Sequence, residues 1–528
     1  MGTSCWGGAM DEAASLSVWN AVFASVADEM GVTLGLTAHS PNIRERRDYS
    51  CAVFDAAGEM IAQAAHIPVH LGAMPEAIRA VRRLEPWRQG DVAIVNDPYL
   101  GGTHLPDVSL VAPVFYRGEV IAFVSNRAHH ADIGGMSAGS MPNSTELFQE
   151  GVIIPPLKLV DAGKRNEALF ELILRNVRTP EERRGDFDAQ LGAIRTGERR
   201  LLELVERRGL EAVAAASAHL KAYAERLARA TIAAIPDGIY RAVDHLDIAG
   251  TPAEPAEIRV AVTIDGDGAE FDFTGTASEQ PASVNAVAAV TKSAVAYCLR
   301  VLMPEHAPSN EGYFRPLSFV LPERSLVNAQ PQRAVSAGNV ETSQRITDVV
   351  LAALREALPG RIPASSAGTM SNFTYGGLRA DGTPFASYET IPGGAGGGPS
   401  GPGLSGIQTH MTNTANTPVE TLERVHPIRV WTFALRARSG GPGHHRGGDG
   451  VVKEVEFLAP ASVSIVGDRR RTGPPGANGG EDGLAARDTL LSATGEPRPL
   501  EAPAQVLVRA GERVRIETPG GGGWGVQA

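Results

Sequence analysis

Asp107-Val-Ser-Leu-Val-Ala-Pro-Val-Phe-Tyr116-Arg-Gly-Glu119-Val-Ile-Ala-Phe-Val-Ser-Asn-Arg-Ala-His129-His130 is the stretch on which the fold turns. Two runs rich in β-branched and aromatic residues, 108–116 and 119–125, flank Arg117-Gly118, which reads as a two-residue hairpin turn. That turn pairs Tyr116 with Glu119 and, counting back, sets Asp107 opposite Ala128 and Pro106 opposite His129. Cross-strand neighbours lie about 5 Å apart, so His129 stands beside Asp107. His104 arrives on the adjoining loop, Asn96-Asp-Pro-Tyr-Leu-Gly-Gly-Thr-His-Leu-Pro106. Two imidazoles and a carboxylate at one point suit a divalent metal, with Zn, Mn or Fe compatible with the donors and the absence of thiolates weakening the case for a structural zinc. Glu45, in Ser40-Pro-Asn-Ile-Arg-Glu-Arg-Arg-Asp48, offers a second carboxylate from a polar loop. The plainer reading, that these side chains cap strands and loops, competes with it, because His-x-x-Asp is a weak motif. His130 and Asp132 stand either as partners of the ligands or as acid/base groups.

Outward from the hairpin, Leu16, Trp19, Val22, Phe23, Val26 and Met30 recur at helical spacing over 14–30, with Gly31 as the stop. Residues 51–54 and 59–62 form a hairpin across Asp55-Ala-Ala-Gly58, a short helix runs over 75–84, and 91–96 is a further strand. Residues 166–235 are dominated by Ala, Leu, Glu and Arg and predict two or three long helices, a spacer or a dimerisation arm. One of them starts at Thr179-Pro-Glu-Glu182, with Thr at N-cap, Pro at N1 and Glu at N3. Strands resume over 238–275 around a turn at Asp265-Gly-Asp-Gly268, and a helix follows over 284–302. The rest is punctuated by glycine. The expected fold is α+β and multi-lobed: a strand-rich metal-site region (1–165), a long-helix segment (166–236), an α+β region (237–380) and a Gly-rich β/loop region (381–528), intertwined as one assembly.

Composition narrows the function. With 528 residues, 43% apolar and 21% charged, the chain is ordinary globular material. A net charge of −11 argues against nucleic acid or an anionic membrane as the main partner, and Arg44-Glu-Arg-Arg47 and Arg469-Arg-Arg471 are local exceptions. Three cysteines, at 5, 51 and 298, are too few and too far apart for a disulfide framework or a Cys-x-x-Cys site, and Cys51 and Cys298 sit in apolar runs as buried thiols. No apolar run approaches the ~20 residues needed to span a bilayer, and no h-region follows Met1, so a reducing cytoplasm is the expected location. There is no nucleophile elbow and no phosphate-binding Gly-x-x-x-x-Gly-Lys loop. The glycines of 393–403 let backbone pack closely or line a site. Residues 401–420 and the His444-His445 turn read as polar loops, with a metal or anion site as the alternative for the paired histidines. Residues 520–525 read as a tail that docks by the indole of Trp524.

Taken together, 40–48, 66–74 (His66-Ile-Pro-Val-His-Leu-Gly-Ala-Met74), 90–107, 126–135, 176–180, 413–420, 446–450 and 518–524 resemble the hydantoinase B/oxoprolinase family, in the family's order and over nearly the whole length. The resemblance implies a division of labour. An A-type partner with an actin-like ATPase fold, using ATP and Mg, phosphorylates the carbonyl of a small cyclic amide such as a hydantoin or 5-oxoproline. The B-type chain then completes the reaction at a metal site, within a hetero-oligomer. Carried over residue by residue, that site is Glu45, His104, Asp107 and His129, with His130 or Asp132 as proton shuttle. Relatives include a subunit of the acetone and acetophenone carboxylases, so a ketone carboxylase subunit is the alternative, and the shorter chain here favours the hydrolase. A non-catalytic scaffold for the A-type partner, and an autonomous metallohydrolase that works without ATP, complete the set.

Overall fold

The computed structural model describes residues 5–64, 67–70, 72–250 and 254–527, with side chains of the first helix from residue 15 onward. Residues 1–4, the side chain of Cys5, and His66 and Leu71 of the quoted motif therefore lie outside the described residues.

The hairpin is the centre of a seven-stranded antiparallel sheet. Its strands are β1 (Tyr49–Asp55), β2 (Met60–Gln63), β3 (Val92–Val95), β4 (Asp107–Tyr116), β5 (Glu119–His129), β6 (Leu157–Asp161) and β7 (Lys164–Arg165), in the order β2-β1-β5-β4-β3-β6-β7. Tyr116 pairs with Glu119 as the turn requires. Beyond Phe115 the register departs from expectation: Phe115 pairs with Val120 but Val114 with Ala122, so β5 absorbs one extra residue, Ile121. Such a bulge leaves the apolar pattern readable on both sides and carries no local mark here. It brings His129 directly opposite Asp107, where an unbroken ladder sets Ala128.

Six helices accompany the sheet: α1 (Cys5–Thr37), α2 (Pro41–Arg44), α3 (Met74–Val81), α4 (Glu167–Arg175), α5 (Pro180–Arg208) and α6 (Leu210–Ala233). α1 does not stop at Gly31. Met30 and Leu34 are both fully buried, and another turn of apolar burial outweighs the roughly 1 kcal/mol cost of an interior glycine. α5 buries Phe187, Leu191, Ile194, Leu201 and Val205 and packs against α1, β4 and β5, so the long helices form a layer on the sheet and not a spacer. Thr179 does take the N-cap and Pro180 the first turn, but the Thr179 hydroxyl caps no backbone N–H, and Glu182 pairs with Arg183.

A second sheet, β11-β10-β9-β8, consists of β8 (Gly238–Gly250), β9 (Pro255–Asp265), β10 (Gly268–Asp272) and β11 (Leu317–Val320), with β10 and β11 parallel. α7 (Ala288–Arg300) and α8 (Ser343–Ala357) pack on each other, and α8 lies on β8 and β9. One buried apolar cluster includes Leu16, Leu110, Phe187, Ile258, Val295, Ile346 and Val466, so the N-terminal, helical and central regions share a core. A second cluster holds the C-terminal sheets together. One of these begins with β12 (Asn372–Leu378) and β13 (Pro384–Thr390) and is completed by Ala461–Val466 and Ala504–Val508.

The glycine-rich segments lie side by side and bond through their backbones: Gly397 N–H donates to Gly522 O (2.8 Å), Gly441 to Gly521 (2.8 Å), Gly521 to Gly448 (2.9 Å) and Gly523 to Glu481 (2.8 Å). A Cβ on Gly521 would fall 2.0 Å from the carbonyl oxygen of Ala395, so only glycine fits. The 518–525 tail runs among these segments. It docks by its indole and by its backbone: the Trp524 ring stacks on His445 with centroids 6.1 Å apart, and the two residues exchange two N–H···O bonds of 2.9 Å. No described helix is long and apolar enough to cross a membrane.

Candidate metal centre

Asp107 opens β4 and His129 closes β5. Their backbone N–H groups go elsewhere, that of Asp107 to His104 O (3.1 Å) and that of His129 to Asp48 O (3.0 Å). Theirs is the closer, non-hydrogen-bonded type of antiparallel pair, with both side chains on one face. The preceding loop folds back through a 3₁₀ turn at Pro98–Leu100, where Asp97 Oδ1 accepts from Tyr99 N–H (3.0 Å) and Gly101 adopts φ +95°. Asn96 pins the loop to Leu105 O and Val152 O, both at 2.8 Å. His104 is thereby set with Nε2 3.2 Å from Asp107 Oδ2.

Ligand-type atoms of His104, Asp107 and His129 lie within 4.8 Å of one another, and all three residues are buried. Nδ1 of His104, Oδ1 of Asp107 and Nε2 of His129 have no hydrogen-bond partner, and Nε2 of His104 meets the Asp107 carboxylate. Each buried polar atom left unpaired costs about 1–3 kcal/mol, a cost that one shared cation removes. The donor set, two imidazoles and a carboxylate, fits a divalent transition metal.

The electrostatics agree with that fit. Burial, with His104 adding to it, pushes His129 well below its ordinary pKa, so its ring is neutral and its lone pair available. Burial opposes charge on His104 too, but the adjacent Asp107 carboxylate outweighs it and raises that ring. Asp107 is held well below the usual carboxylate range by His104 and His70, against the effect of its burial. An ion held by these three side chains would compete with protons for their donor atoms, so its affinity would fall in acid.

Six further groups surround the trio. His70, from the 3₁₀ turn Pro68–His70, places Nε2 3.3 Å from Asp107 Oδ2 and Nδ1 2.8 Å from Ser50 Oγ. Asp107 Oδ2 also accepts from Thr103 Oγ1 and from Asn339 Nδ2 (3.3 Å), which leaves Oδ1 as the unpartnered oxygen. Asn42, in α2, donates to the His129 carbonyl at 2.6 Å and sits 3.1 Å from its Nδ1. The His129 ring stacks on Tyr388, centroids 4.3 Å apart and planes 11° apart. Asp48 lines the same cavity as His70, Asp107 and His129, a space of about 20 Å³, which is room for one water or one ion.

The structure thus gathers His104, Asp107 and His129 but not the other sequence candidates. Glu45, just past α2, lies 3.5 Å from Arg44 and borders a separate, larger cavity. His130 points to the opposite face of β5, as strand alternation requires; its Nε2 is 3.0 Å from Gln190 Oε1, its ring lies against Phe187, and burial lowers its pKa to about 4. Asp132 is occupied by the Gly134, Gly139 and Arg178 N–H groups and by the Arg178 guanidinium at 2.9 Å. Cys51 and Cys298 are buried and form no disulfide among the described residues, with burial pushing both thiols up. His70 was within the quoted 66–74 stretch, and its proline-turn histidine was the available signal. Asn339 and Tyr388 come from distant segments with no local mark.

The chain is similar to known proteins over nearly its whole length. The profile of the Hydantoinase B/oxoprolinase family matches residues 12–527. An uncharacterised protein of Methanocaldococcus jannaschii is 42% identical across 95% of this chain and 88% of its own length. 5-Oxoprolinase 1 of Arabidopsis thaliana is 39% identical across 97% of this chain but only 41% of its own, so the chain spans less than half of that relative. Among solved structures, the ATP-dependent caprolactamase from Pseudomonas jessenii superposes with a TM-score of 0.90 at 31% identity, over 97% of this chain and 90% of that one. Nucleotide-free acetone carboxylase gives 0.88 at 19% identity over 97% and 76%, a likeness of fold alone.

Proposed function

The chain belongs to the hydantoinase B/oxoprolinase family, and from that premise we propose that it is the metal-dependent B subunit of an ATP-dependent cyclic amide hydrolase, opening a ring whose carbonyl an A-type ATPase subunit has phosphorylated. The single observation that carries this reading is the buried trio His104, Asp107 and His129 with its unpartnered nitrogens and oxygen.

The chemistry needs such a site. Amide resonance protects a lactam carbonyl from water, and O-phosphorylation makes it a far better electrophile. His104, Asp107 and His129 would hold the ion, which when bound supplies Lewis-acid polarisation and acidifies water toward neutrality. His70 steadies Asp107, its Nε2 3.3 Å from Oδ2, and lines the cavity wall. Asn42 and the Tyr388 ring fix the orientation of His129. His130 and Asp132, engaged with Gln190 and Arg178, take positioning roles.

The test is reconstitution with an A-type ATPase subunit and assay of ATP-dependent opening of hydantoin, 5-oxoproline and caprolactam. Asp107→Asn is expected to lower turnover by at least about 100-fold with assembly preserved. Wild-type turnover in that variant would leave a scaffold role. ATP use that requires bicarbonate and a ketone would assign the chain to carboxylation instead.

A further inference from the structure

The cavity at the trio, about 20 Å³, cannot hold a ring. A second cavity of about 960 Å³ lies one chain-thickness away, within the range of small-molecule sites. Neighbouring residues of the chain line the two spaces in turn. Arg47 and Tyr49 line the large chamber while Asp48, between them, lines the small cavity; Asn413 lines the chamber and its neighbour Thr412 the small cavity. The two spaces therefore share a wall.

α1 also lines the chamber, with Gly31 and Gly35 one turn apart and Val32 and Leu36 exposed at 58% and 78%. Gly35 has no room for a side chain, since a Cβ there would meet Tyr49 Oη at 2.8 Å. Arg47 has φ +56°, a left-handed conformation that favours glycine, yet the position carries a guanidinium. Arg44 is paired with Glu45 at 3.5 Å, and Asp28 also lines the chamber. The Arg47 guanidinium has no ion-pair partner among the described residues.

We infer that this chamber is the reception site for the phosphorylated cyclic amide, the ring lying on the exposed apolar face that Val32 and Leu36 make on α1 and the phosphate meeting Arg47. The inference rests on the function proposed above and adds to it the place where the substrate docks before it reaches the trio.

Inorganic phosphate, the anionic part of that ligand, is the probe, titrated into the full chain and followed by calorimetry. The expected result is saturable binding in wild type and in His104→Ala, weakened about tenfold or more in Arg47→Ala and in Leu36→Glu, both at exposed positions. Wild-type affinity in Arg47→Ala and Leu36→Glu would overturn the assignment, as would no binding by wild type at millimolar phosphate. Binding lost in His104→Ala but kept in Arg47→Ala would place the anion at the trio, overturning the chamber while leaving the proposed function standing.

Discussion

The two oxygens of Asp107 have different surroundings: Oδ2 is met by His70, His104, Thr103 and Asn339, whereas Oδ1 has no partner. Removing a group that orients a ligand typically costs 10–100-fold in metal affinity. Asn42→Ala, which frees the His129 ring, is therefore expected to weaken Mn²⁺ or Zn²⁺ binding by about that factor in a competition titration; unchanged affinity would show that Tyr388 alone suffices. His426 offers a test away from the centre. It is buried against Tyr375 and Phe385, and burial lowers its pKa to about 4. Its ring stays neutral in the fold while the unfolded chain takes a proton below about 6.5, so its contribution is fully present above pH 6.5 and is lost as pH falls toward 4. Between pH 7 and 4 wild type should lose on the order of 3 kcal/mol relative to His426→Gln in denaturant unfolding; parallel pH profiles would contradict that burial. At this scale the sequence was legible where chemistry is local. His104, Asp107 and His129 sit on one loop and one hairpin, whereas His70, Asn339 and Tyr388 reach the site only through the tertiary fold.

Among elements, the β4–β5 hairpin was legible from Arg117-Gly118 and the flanking apolar runs, but its bulge was not, because Val120-Ile-Ala122 reads as unbroken strand. The bulge makes Asp107 and His129 a direct pair. The end of α1 was misplaced for a related reason: Gly31 is a stop signal only where the next turn has nothing to bury, and Leu34 is fully buried. The glycine-rich segments announced close packing without revealing their neighbours. Their packing makes a paired prediction. Gly521→Ala drives a Cβ to 2.0 Å from a carbonyl oxygen, whereas at Gly401 nothing lies within 4 Å. Overpacking of backbone against backbone costs about 3 kcal/mol or more, so Gly521→Ala should show that loss in chemical denaturation while Gly401→Ala stays within about 0.5 kcal/mol. Equal effects would mean that the bundle yields freely.

Across the whole molecule, the regions read as separate stretches of sequence are joined by one apolar cluster that reaches from Leu16 to Val466. The centre depends on that union: Asp107 and His129 come from the N-terminal sheet, Asn339 from the turn before α8, and Tyr388 from β13. Arg46 ties these parts, donating to Tyr388 O at 3.0 Å and Thr390 Oγ1 at 2.9 Å with its guanidinium over the Tyr388 ring. The central claim is that His104, Asp107 and His129 form a metal centre. Its most direct test is metal content by plasma mass spectrometry of purified protein after incubation with Mn²⁺ and Zn²⁺, comparing wild type with His104→Ala and Asp107→Ala, each checked for folding by circular dichroism. The account predicts near-stoichiometric metal in wild type and loss in both folded variants. Equal metal in all three proteins, or none in wild type, would contradict it.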